Sequence, residues 1–136
     1  MKYRVLGRSG LKVSEICLGA MTFGEDWGFG ASRDESRKQF DIFAAAGGNF
    51  IDTANVYTKG TSERFVGEFV KSDRDKFVVA TKYSIATRFD DINAWGNSRK
   101  NLVQSVEASL RRLDLDRIDL YWVHVADPLT PADELM

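Results

Sequence analysis

Apolar and polar positions change period several times along the chain, and each change marks an element. Residues 2–6 and 11–13 are short stretches on either side of Gly7-Arg8-Ser9-Gly10. Those glycines supply the positive φ of a tight turn, so a β-hairpin is expected. The short apolar run 14–21 ends in the glycine-rich stretch 22–32. Ser32 and Glu35 then have capping-box spacing, in which each side chain satisfies a free backbone N–H at a helix start. Phe40, Phe43 and Ala44 share one face of the helix that follows, which Gly47-Gly48 stops.

The pattern then repeats. Residues 50–53 form a second strand after the first apolar run, followed by a helix carrying Phe65, Val66, Phe69 and Val70. Residues 76–83 form a third strand. The polar and aromatic loop 84–97 leads to Ser98 as an N-cap, and Leu102, Val106, Leu110 and Leu113 trace one helix face. Residues 118–125 are a fourth strand, and a last helix opens with Thr130 as cap and Pro131 as its first residue. Strands alternating with helices demand parallel pairing and right-handed crossovers. The expected fold is α/β: one domain over residues 1–136, a β-hairpin followed by four βα units.

In such a sheet the strand C-terminal ends share one rim, and a barrel of βα units builds its site there. Met21 and Thr22 follow the first strand, Asp52 ends the second, Lys82 the third and His124 the fourth. Tyr57 follows Asp52 by a short loop. Singly, each residue has an ordinary structural explanation: a loop cap, a loop aromatic, a lysine reaching past the sheet end or a satisfied histidine. Jointly they make a proton donor. An ammonium beside a phenol favours its ionised form, a carboxylate aims the ammonium, and a histidine can donate to a carbonyl oxygen. Such machinery protonates an oxyanion while a hydride reaches the carbon.

Composition narrows the partners. Nineteen basic and twenty acidic residues, spread without a basic block, argue against nucleic acid or an anionic membrane and leave a small molecule as the expected partner. The single cysteine, Cys17, reads as a small buried apolar residue, so neither a disulfide nor a zinc site is expected. No run approaches the roughly 18 apolar residues of a membrane span and no signal peptide is visible, so a cytoplasmic location is expected. Gly28-Phe29-Gly30 lacks the third glycine of a dinucleotide fingerprint, because Arg33 stands in its place. Glu63, just inside the second helix, reads as a helix-dipole residue.

The blocks LGRSGLKVSEICLGAMTFG (6–24), GNFIDTANVYTKGTSE (48–63), ATKY (80–83), SRKNLVQSVEASLRRLDLDRIDLYWVH (98–124) and DPLTPADELM (127–136) together resemble the N-terminal half of the aldo-keto reductases. The resemblance implies the first half of a (β/α)8 TIM barrel and NADPH-dependent reduction of aldehydes or ketones to alcohols. It places the catalytic group on Asp52, Tyr57, Lys82 and His124, with Tyr57 as general acid. It puts nicotinamide-ribose contacts on the backbone of Gly19, Ala20 and Met21 and on Asp52, and a substrate pocket near Trp27, Tyr83 and Trp95. No metal is implied. A complete barrel takes about 250 residues, so self-association or pairing with a C-terminal half is expected. The alternative is a non-catalytic half-barrel serving as an assembly or nucleotide-sensing module.

Overall fold

A computed structural model describes residues 1–135. Strands β1 (Tyr3–Val5) and β2 (Lys12–Ser14) form the antiparallel hairpin. Strands β3 (Leu18–Gly19), β4 (Phe50–Asp52), β5 (Val78–Tyr83) and β6 (Leu120–Val123) form a parallel sheet in that order. Helices α1 (Arg33–Ala45), α2 (Thr61–Val70) and α3 (Arg99–Leu113) are the crossovers, and α4 (Ala132–Leu135) follows β6. Every expected element is present, but β3 is two residues long where an eight-residue apolar run stands. Ser14 belongs to the hairpin, and beyond Gly19 the backbone N–H of Ala20 still reaches the Asp52 carbonyl before the chain turns.

Two caps follow the sequence pattern, and one of them is only half of the expected capping box. Ser98 accepts from the Asn101 N–H, and Ser32 from the Glu35 N–H at 3.3 Å. The Glu35 carboxylate pairs with Lys38 instead of returning to the Ser32 backbone, so the capping box is half made.

Alternation fixes what each strand offers. Asp52 pairs with Ala80 and Lys82 with Trp122 in the register, so Asp52, Lys82 and the position of His124 share one face. Ile51 and Val79 point the other way, into a core with Phe23, Phe40, Phe43, Val66, Phe69 and Leu113. Phe69 is the hub, its ring 6.2 Å from Phe23, 5.6 Å from Phe40 and 6.0 Å from Phe65. Truncating so central an aromatic costs about 3–5 kcal/mol. At the opposite end of the sheet from the rim, Asn49 accepts from the Ser14 N–H at 2.7 Å and so ties the hairpin to the base of β4.

Helix α3 is less covered than its pattern implies. Leu113 is fully buried, whereas Leu102, Val106 and Leu110 are half-buried. Its other buried positions are small or polar, Asn101 and Ser109. Cys17 is also a departure: it is exposed, because it precedes the short strand β3 on the sheet edge where no neighbouring strand lies. No described helix is long and apolar enough to cross a membrane.

Candidate active site

Lysine 82 organises the rim. Its Nζ donates to Asp52 Oδ2 at 2.5 Å, to the Thr53 carbonyl at 2.8 Å and to Tyr57 Oη at 3.2 Å. An ammonium has three N–H donors, so all of them are spent. Tyr57 therefore accepts from the lysine, and its own O–H is left to donate elsewhere. The ammonium also lies 4.7 Å from the centre of the Tyr57 ring, within cation–π range. The carboxylate and the ammonium are mostly enclosed, at 28% and 14% side-chain exposure.

Local structure delivers the phenol. The Asn55 N–H bonds the Lys82 carbonyl, and the chain then turns tightly through Tyr57–Gly60. Thr58 and Lys59 have φ of 45° and 53°, the left-handed region that side-chain-bearing residues rarely enter. The turn is held by Thr58, whose hydroxyl donates to the Phe23 carbonyl at 2.6 Å and accepts from the Ser62 N–H at 3.0 Å.

His124 completes the group. Its backbone N–H continues the β5–β6 ladder to the Tyr83 carbonyl, and its ring stands edge-on to Tyr57 at 5.6 Å. Burial, followed by the Lys82 ammonium, holds the imidazole below its ordinary pKa, with Asp52 opposing. The ring is therefore neutral at neutral pH. Its Nδ1 is buried and has no partner among the described residues.

The other expected contacts divide. Gly19 and Met21 are exposed beside Asp52, and a Cβ on Gly19 would meet nothing within 4 Å. Ala20 is different: its N–H is bonded to the Asp52 carbonyl, and its own carbonyl accepts from Ser62 and from the Phe23 N–H. It has no free backbone donor to offer a ligand. Trp27 lies edge-on to Tyr57 at 6.4 Å, and Trp95 is exposed on the loop 84–97. Tyr83 is not a pocket residue. It alternates to the helix side of β5, is 1% exposed and stacks on Tyr121 at 5.2 Å.

A second layer stands behind this rim. The Ser62 hydroxyl donates to the Ala20 carbonyl at 2.6 Å and shares a 2.7 Å hydrogen bond with Thr53. Its neighbour Glu63 is fully buried, accepting from Thr81 at 2.6 Å and from Arg112 Nε at 2.5 Å. The N-terminal turn of α2 thus clamps the ends of β3 and β4 and the middle of β5, one residue away from Asp52 and Lys82. Glu63 is a buried ion-pair partner, not the helix-dipole residue its position in the first turn suggests. A signal was present in Arg112, whose i−4 neighbour is Ala108, whereas Arg111 has Glu107 at that spacing. Arg112 reaches Glu63 by passing beneath Gly60, where a Cβ would come within 2.6 Å of its Cδ.

A model of the aldo/keto reductase family matches residues 15–136. The chain belongs to that family. It is 43% identical to a norsolorinic acid reductase of Aspergillus flavus, over 98% of this chain and 37% of the relative. It is 45% identical to an aryl-alcohol dehydrogenase [NADP(+)] of Phanerodontia chrysosporium, over 93% of this chain and 37% of the relative. A solved aldo-keto reductase from Bacillus halodurans, in a holo form, superimposes with a TM-score of 0.86 at 35% identity, covering 99% of this chain and 44% of that one. The chain thus spans less than half the length of these proteins. Its sheet and helices are those of the first half of the aldo-keto reductase barrel.

Proposed function

We propose that the chain carries the proton-transfer half of an aldo-keto reductase site, acting in NADPH-dependent reduction of an aldehyde or ketone to an alcohol. One observation carries the reading: all three Lys82 donors are engaged, one of them by Tyr57 Oη, so the phenol keeps its own proton to donate to a reacting oxygen. Tyr57 gives that proton to the carbonyl oxygen, the ammonium stabilises the phenolate left behind, and Asp52 fixes the ammonium. Neutral His124 orients the carbonyl by donating one ring N–H to its oxygen.

The rim suits the nicotinamide end of a dinucleotide. Gly19, which pairs with Asp52, has open space where a Cβ would stand, and Asp52 bonds Lys82 through Oδ2, leaving Oδ1 for a ribose hydroxyl. When bound, NADPH supplies the hydride that reduces the carbonyl carbon. Self-association or a C-terminal half of the barrel would cover the free edge of β6, where Trp122 and Val123 are each 42% exposed. A cytoplasmic setting fits a free thiol such as Cys17.

The test is a fluorescence titration of this chain with NADPH and, separately, NADH, followed by addition of an aromatic aldehyde. Saturable binding with oxidation of the nucleotide is the expected result. A folded sample that binds nucleotide without oxidising it would favour the sensing module, and one that binds neither would favour an assembly unit.

A further inference from the structure

Lys82 and His124 stand on neighbouring strands, and what fixes one against the other lies just beyond the end of β5. Ser84 has a φ of 93° and is only 4% exposed. Residues with a side chain rarely enter that region, whereas glycine takes it at no steric cost. Such a residue persists where its surroundings over-determine it, and residues of this kind gather at functional sites. Here the hydroxyl does the holding. Ser84 Oγ accepts from the Val125 N–H at 2.8 Å and donates to the Val125 carbonyl at 3.0 Å. One side chain thus occupies both backbone groups of the residue after His124.

The consequence falls on His124. Planar peptide groups leave a residue only two soft dihedrals, so the direction of its Cα–Cβ bond is set by the peptide groups on either side. The group before His124 is fixed by its N–H, which donates to the Tyr83 carbonyl at 2.9 Å. The group after it carries the Val125 N–H, which Ser84 takes. The two residues directly after Lys82 therefore hold both. The imidazole depends on this, because its Nδ1 has no partner among the described residues to aim the ring. Asn97, at the far end of the loop 84–97, closes the arrangement. Its Nδ2 donates to the Val125 carbonyl at 3.0 Å, its Oδ1 accepts from the Asp127 N–H, and the neighbouring Gly96 N–H donates to the Ser84 carbonyl at 2.9 Å.

We infer that Ser84 is a positioning residue: together with the Tyr83 carbonyl it sets the His124 imidazole against the Tyr57 ring, where the two stand edge-on at 5.6 Å. Its role in turnover rests on the reading of His124 as the group that orients the carbonyl.

The experiment compares wild-type chain with Ser84→Gly, which removes the hydroxyl and relieves the backbone at once, and with Ser84→Ala, which removes the hydroxyl and keeps the strain. Both should lose the nuclear Overhauser contact between the His124 and Tyr57 rings, read by nuclear magnetic resonance. The contact between the Trp27 and Tyr57 rings, 6.4 Å apart, should persist. Aldehyde-dependent NADPH oxidation at saturation should fall by about 10²-fold, as a small misplacement of a reacting group brings, with NADPH affinity unchanged. In a His124→Ala background, Ser84→Gly should cost no further turnover, since a residue acting through the imidazole then has nothing to position. A His124–Tyr57 contact retained in Ser84→Gly, loss of both ring contacts together, or an undiminished loss of turnover in the His124→Ala background would each overturn the assignment. A wild-type chain that oxidises no NADPH would refute the reductase reading by itself, and the ring contacts would still decide whether Ser84 holds His124.

Discussion

Lys82 Nζ stands 3.2 Å from Tyr57 Oη while its other two donors are held by Asp52 and the Thr53 carbonyl. A tetrahedral ammonium can serve those acceptors together, whereas a planar guanidinium cannot. Lys82→Arg should therefore lose carbonyl reduction nearly as fully as Lys82→Met. Nucleotide binding, measured by fluorescence, should fall far less than turnover in both.

His124 is the only histidine in the chain, so its titration can be followed as a single imidazole signal. Burial and Lys82 lower its pKa, so the midpoint should fall below the reference of about 6.5. Lys82→Met should raise it, and Asp52→Asn should lower it further. Because the unfolded chain takes up the proton first, the stability linked to this group is present above about pH 6.5 and is lost as pH falls towards the depressed folded value. Urea midpoints measured across that window should decline on acidification.

Glu63 and Arg112 are unequal partners. The Glu63 side chain is fully enclosed, whereas that of Arg112 is 21% exposed and can turn to water once unpaired. Breaking a buried pair costs about 3–5 kcal/mol. Arg112→Met, which strands the carboxylate, should lie towards the upper end of that range and Glu63→Gln below it. Replacing both by apolar residues should recover much of the loss, as read from urea unfolding.

Helix α2 meets the C-terminal end of α3 at Gly67, where a Cβ would overlap the Leu113 backbone carbonyl. Backbone cannot yield as a flexible side chain does. Gly67→Ala should destabilise by at least the 1–3 kcal/mol typical of overpacking, despite alanine's better helix propensity. A calorimetric melt above that of the wild type would refute the close approach.

How much of this was legible beforehand depends on the reach of each signal. Alternation and capping residues are local, so the hairpin, the strand order and the rim positions of Asp52, Lys82 and His124 could be read directly. Tyr57 needed only a short loop. The family resemblance puts Tyr83 near the substrate pocket, but strand alternation sends it to the face opposite Lys82. Cys17 was misjudged because its apolar neighbours suggest burial, yet it sits at an edge that no strand covers. The clamp of Ser62, Glu63 and Arg112 joins residues far apart in the chain, and no periodicity encodes such a pairing.

The central claim is that Tyr57 supplies the proton and does nothing essential for nucleotide binding. The direct measurement compares wild-type chain with Tyr57→Phe for NADPH affinity and for aldehyde-dependent NADPH oxidation. Affinity should be unchanged while oxidation falls by about 10²–10⁴, the usual worth of a positioned general acid. Equal oxidation rates in the two proteins would contradict the account.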